Sequence, residues 1–95
     1  MDSFGFKLRS LRGSRAITQR ELSARTGMDT GLLSRMETGE ARYLPNVETI
    51  QRLIRALDLS QSEADSLYVL ARRIPPDVED KILAKPELFA RIRKA

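Results

Sequence analysis

An all-α domain of five helices with a short C-terminal helical extension is the fold class this sequence predicts. Three observations predict it. Apolar residues recur at three- and four-residue spacing along most of the chain. Good N-capping residues precede these runs at Ser3, Thr18, Asp29, Asn46 and Ser60, and Thr18 and Ser60 are each followed three residues later by a glutamate, Glu21 and Glu63. Glycine or proline punctuates the pattern at Gly27, Gly39, Pro45, Pro75, Pro76 and Pro86. No stretch carries a strand signal, and neither an internal repeat nor a low-complexity tract occurs.

The elements follow in order. Ser3 caps a first helix over Phe4–Ser14, with Phe4, Leu8 and Leu11 on one face. Thr18 and Glu21 form a capping box for a short second helix, Gln19–Thr26, which turns Leu22 inward and stops at Gly27. Asp29, an acid at the positive end of a helix dipole, opens a third helix that runs to Thr38, with Leu33 and Met36 inward and Gly39 as its stop. A loop from Glu40 to Pro45 leads to Asn46, which caps Val47–Leu57, whose apolar face is Val47, Ile50, Ile54 and Leu57. Ser60 and Glu63 start a fifth helix over Gln61–Arg73, with Ala64, Leu67, Tyr68 and Ala71 inward. Beyond the break at Pro75 and Pro76, two short helices are expected at Asp77–Ala84 and Glu87–Lys94. The chain thus divides into residues 1–73, a compact domain, and residues 74–95, a helical extension.

Composition narrows the function classes. The 95 residues contain no cysteine, histidine or tryptophan. A disulfide framework, cysteine-ligated zinc and a thiol nucleophile are excluded, and the commonest general base and metal ligand is missing. No catalytic constellation, cofactor or metal is expected. Apolar residues make up 41% of the chain but stay dispersed. No run approaches the ~18 apolar residues of a membrane span, and no apolar segment follows a basic start, so a cytoplasmic protein is expected. The net charge of +4 is unevenly placed: Lys7, Arg9, Arg12, Arg15, Arg20 and Arg25 meet a single acid, Glu21, whereas residues 45–70 lean acidic. Such a basic block is what a phosphate-binding surface needs; composition alone leaves it even with a solvated helix face.

The informative segment is Gln19–Arg35, QRELSARTGMDTGLLSR. Two short helices meeting at a tight turn need a small residue where they approach (Ser23), a glycine for the turn four residues on (Gly27), and an aliphatic plug six further (Leu33), with Met36 one turn later and Leu22 packing from the first helix. A unit of this kind presents the N-terminal half of its second helix outward, where it fits the DNA major groove.

Over Phe4–Leu59 the sequence resembles the Cro/repressor-type helix-turn-helix domain of phage repressors and the XRE group of bacterial regulators. The matching pieces are Phe4-Gly5, Leu8-Arg9 with Leu11-Arg12, Ile17-Thr18-Gln19 with Glu21-Leu22, Gly27, Leu33-Ser34 with Met36-Glu37 and Gly39, Pro45 leading into Val47-Glu48-Thr49-Ile50, and Ala56-Leu57-Asp58-Leu59. The resemblance implies a sequence-specific transcriptional regulator of double-stranded DNA, a repressor on a palindromic operator. By position it implies base-edge contacts from Thr30, Gly31, Ser34 and Arg35, with Arg35 suited to guanine through two hydrogen bonds. It implies phosphate contacts from Gln19, Thr38, Arg42 and Asn46, which set register rather than sequence. It also implies an Arg12–Glu37 ion pair, chiefly structural, with a phosphate contact as the second role of Arg12.

Some positions depart from the family pattern. Ser23 stands for the commoner alanine but is still small. Ala16 replaces a common glycine, which would lengthen the first helix. Gly31 has no side chain where a base-reading one is often found, and Glu40 is acidic near expected phosphates. Tyr43, in a loop longer than the family's usual link, either extends the backbone contact with Arg42 or packs over the fourth helix. Phe6 is apolar where the pattern is polar. Arg9, Arg15, Arg20 and Arg25 divide between backbone contact and solubility. The apolar residues of the extension, Leu88, Phe89 and Ile92 among them, either cover the domain or pair with a second copy; a homodimer would read two half-sites. The alternative is an antitoxin-type module whose C-terminal helices hold a partner protein, a toxin or a regulatory protease, with repression of its own promoter as a side role.

Overall fold

The computed structural model describes residues 3–95, which form seven helices and no strand: α1 (Phe4–Ser14), α2 (Gln19–Thr26), α3 (Thr30–Thr38), α4 (Val47–Leu57), α5 (Gln61–Leu70), α6 (Pro76–Leu83) and α7 (Leu88–Lys94). Each expected cap is in place. The side chains of Ser3, Thr18, Asp29, Asn46 and Ser60 accept hydrogen bonds from the backbone N–H groups of Phe6, Glu21, Gly31, Thr49 and Glu63, and both capping boxes close. Gly27 and Gly39 end α2 and α3 in the left-handed region, at φ of 75° and 81°.

Three other helices end the same way without glycine. Ala16, Asp58 and Arg72 have φ of 52°, 50° and 57°. In each case paired backbone bonds run back into the last turn: Ile17 N–H to the Arg12 carbonyl and Ala16 to Gly13, Leu59 to Ile54 and Asp58 to Arg55, Arg73 to Tyr68 and Arg72 to Val69. Ala16 therefore does not lengthen α1, and α5 stops at Leu70 rather than Arg73. The reason is tertiary. Reversing the chain after Arg15 buries Ile17.

Leu8, Leu22, Leu33, Ile50, Leu53, Leu57 and Leu67 are fully buried, with Phe4, Leu11, Ile17, Met28, Met36 and Tyr68 around them. All these residues come from α1–α5 and the segments that join them. Gly5 marks a close approach between α1 and α3, since a Cβ there would clash with the Met36 carbonyl oxygen. A second tie crosses 48 residues: Arg15 Nη2 meets Glu63 Oε1 at 2.7 Å, joining α1 to the start of α5. That bond, with the Ser60 N–H, pulls the Glu63 carboxyl down to about 2.

The two last helices differ from the rest. Neither α6 nor α7 buries a residue or has a side-chain N-cap bond. Within the extension Ile82 and Leu88 are half-buried and Phe89 is 36% exposed. Val78, Leu83 and Ile92 are 40%, 59% and 58% exposed. Among the described residues no helix is long and apolar enough to cross a membrane.

Candidate DNA-binding interface

The turn between α2 and α3 is braced by two hydroxyls. Thr26 Oγ1 donates to the Leu22 carbonyl at 2.7 Å and accepts from the Met28 N–H at 3.2 Å. Ser23 Oγ donates to the Met28 carbonyl. Both polar groups of Met28 are thereby satisfied while its side chain is buried. Ser23 is thus more than a small residue at a close approach: its hydroxyl closes the turn. The helix-turn-helix spacing alone does not single out Thr26 or Met28. The available signal was a hydroxyl one residue before the terminating glycine, placed to bond back into its own helix.

A carboxylate pins three helices together. Arg12 Nε and Nη2 donate to the two oxygens of Glu37 at 2.7 and 3.0 Å, and Arg12 Nη1 donates to the Ile17 carbonyl at 2.8 Å. Gln19 Nε2 donates to Glu37 Oε1 at 3.2 Å. The Glu37 side chain is 3% exposed and that of Arg12 17%. The bidentate bond to Glu37 raises the Arg12 pKa above its ordinary value. A buried charge is tolerable only when paired and fully hydrogen-bonded, and Glu37 accepts from α1 and α2 at once. Arg12 spends three donors within the fold, and Gln19 aims its amide at Glu37.

Because Leu33, Met36 and Glu37 face inward, the opposite face of α3 carries Thr30, Gly31, Ser34, Arg35 and Thr38. Thr30 and Arg35 are exposed, and Ser34 and Gly31 half-buried. A Cβ on Gly31 would lie 2.8 Å from Asp29 Oδ2 and 3.3 Å from Arg35 Nη1. The Arg35 guanidinium therefore leans back over Gly31 toward the N-terminal end of α3, as long helical side chains do. The missing side chain makes room for it. Among the described residues Arg35 has no ion-pair partner.

The flanking positions are less uniform. Thr38 Oγ1 donates to the Ser34 carbonyl at 3.1 Å, and Asn46 Oδ1 caps α4 through the Thr49 N–H at 2.9 Å. Tyr43 does not pack over α4; it is 77% exposed, with the Arg42 guanidinium 5.8 Å from its ring centroid. Arg73 Nε donates to the Pro45 carbonyl at 3.3 Å, tying the end of α5 to this loop. Of the basic block, Arg15 pairs with Glu63 and Arg25 Nη1 donates to the Ala56 carbonyl at 3.1 Å, whereas Arg9 and Arg20 are exposed.

A braced turn between two short helices, the second exposed along one face, defines a helix-turn-helix protein. A family model described as a helix-turn-helix domain matches residues 3–67. The chain is also 33% identical, over 94% of its length and 69% of the relative's, to the HTH-type transcriptional repressor RghR of Bacillus subtilis strain 168. No solved structure gives a significant match. The chain belongs to the XRE-type helix-turn-helix family and is a DNA-binding transcriptional regulator.

Proposed function

We propose that this regulator is a repressor that binds a palindromic operator as a homodimer, with α3 in the major groove. The observation that carries the reading is the Arg12–Glu37–Gln19 network. It fixes α3 against α1 and α2 through a fully satisfied buried carboxylate, so the exposed face is presented with little freedom to lose on binding. The relative's description as a repressor points the same way.

In this reading Arg35 reads guanine, Thr30 offers a hydroxyl and a methyl to a neighbouring base, Ser34 lies beside them, and Gly31 lets Arg35 lie flat along the helix. Arg42, Tyr43, Asn46, Thr38 and Gln19, with the remaining donors of Arg12, hold the phosphates. Residues 1–73 form the DNA-binding part and residues 74–95 the part that joins two copies. The exposed apolar residues of α6 and α7 support this division.

Selection of bound duplexes from a random pool tests the proposal. The expected result is one short palindrome with half-site centres about 34 Å apart. Its affinity should fall steeply with salt. Arg35→Ala should relax the preference at one base pair per half-site, costing about 1–3 kcal/mol there. Recovery of no sequence bound more tightly than random DNA would sink the reading.

A further inference from the structure

The homodimer reading leaves open how two copies meet, and the tail carries an answer that rests on that reading. We infer that the α6–α7 segments of two copies pair antiparallel, α6 of one protomer lying on α7 of its partner.

Charge is segregated along the tail. α6 carries Asp77, Glu79 and Asp80 against one base, Lys81, whereas α7 ends in Arg91, Arg93 and Lys94 and contains no acid. None of these groups has an ion-pair partner among the described residues. Helix dipoles account for acids at the start of one helix and bases at the end of the other. They do not account for the apolar residues left open between them. Val78 and Leu83 on α6, and Ile92 on α7, lie exposed on helices that bury nothing.

Symmetry then selects the arrangement. A two-fold axis running along the tail would set α6 on α6 and acid against acid, and α7 on α7 and base against base. An axis crossing the tail at the 84–87 joint sets each acidic helix on a basic one and still lets each apolar stripe cover the other. The lengths suit this exchange, since α6 has 8 residues and α7 has 7. On the domain side Glu79, Ile82, Leu83 and Phe89 line a cleft of about 440 Å³ with Val47, at the start of α4, and Ile74.

Sedimentation of the full chain at moderate salt tests the pairing, with two charge-reversed variants: Asp77→Lys/Glu79→Lys/Asp80→Lys and Arg91→Glu/Arg93→Glu/Lys94→Glu. Circular dichroism melting should be nearly unchanged in both, because the tail buries nothing. Each variant alone should self-associate about tenfold more weakly than the parent chain. An equimolar mixture of the two should recover the parent's dimerisation, as should one chain carrying both sets. A parent dimer that neither reversal weakens overturns the antiparallel pairing while leaving the homodimer intact. A parent chain that stays monomeric both free and on its selected duplex overturns the homodimer and the pairing together.

Discussion

The α2–α3 pair and the α6–α7 pair are alike on paper and opposite in practice. Each is two helices of 7 to 9 residues joined by a short link. The first buries Leu22, Leu33 and Met36, closes its turn on the hydroxyls of Ser23 and Thr26, and is locked to α1 through Glu37. The second has comparable apolar residues, no side-chain cap and nothing buried. Helices this short are marginal in isolation, so packing decides whether they persist. The difference teaches that the same local pattern serves as a core element in one place and as an unpaired surface in another. What separates them is whether the rest of the chain supplies a facing layer.

The largest expected effect lies in exchanging equivalent truncations between the two pairs. Leu33→Ala should destabilise the fold by about 3–5 kcal/mol through the cavity it leaves. Leu83→Ala should change the stability of the isolated domain by no more than about 0.5 kcal/mol. Denaturant titration under monomeric conditions measures both. Equal losses would mean that α6 is part of the core after all.

Next comes the lock between α1, α2 and α3. Glu37→Ala leaves the Arg12 guanidinium without its partner and should cost about 3 kcal/mol. The double variant with Arg12→Met should be less destabilised than the sum of the two single ones, which a double-mutant cycle reads directly.

A smaller and opposite effect is expected at Ala16. Its φ of 52° is costly for a residue with a Cβ. Ala16→Gly should therefore stabilise the protein by about 1 kcal/mol. A loss of stability there would mean that the left-handed turn is not the form held in solution.

The smallest effect concerns acid. Glu63 titrates at about 2 in the fold, against an ordinary 4.5, because of its bonds to Arg15 and the Ser60 N–H. A lowered folded value means that the carboxylate contributes its stability above about 4.5 and loses it as the pH falls toward about 2. The Glu63→Gln variant should show a shallower decline over that window than the parent chain, measured by thermal unfolding at stepped pH. Both side chains of this tie are partly exposed to solvent, so the difference should be slight.

Local chemistry was legible in the residues themselves. Ser3, Thr18, Asp29, Asn46 and Ser60 announce helix starts because each places a side-chain oxygen within reach of N–H groups that have no partner inside the helix. Gly27 and Gly39 announce stops because a left-handed turn suits a residue without a Cβ. The spacing of Leu22, Leu33 and Met36 marked the faces turned inward, and the order of those residues pointed to the family. Long-range choices were not legible. Ala16 and Arg72 adopt left-handed turns that their own preferences resist, because paired backbone bonds close the last turn of each helix there and the reversal at Ala16 buries Ile17. Gln19 turns toward Glu37 because the partner that makes that position favourable stands 18 residues away on another helix. The fate of α6 and α7 was decided the same way: their apolar pattern specifies a face, but the folded domain fully buries none of it. Capping and periodicity act within a turn or two of chain, so sequence alone determined the helices and their inward sides. Which surfaces meet depends on contacts between distant segments, and only the tertiary structure decided that.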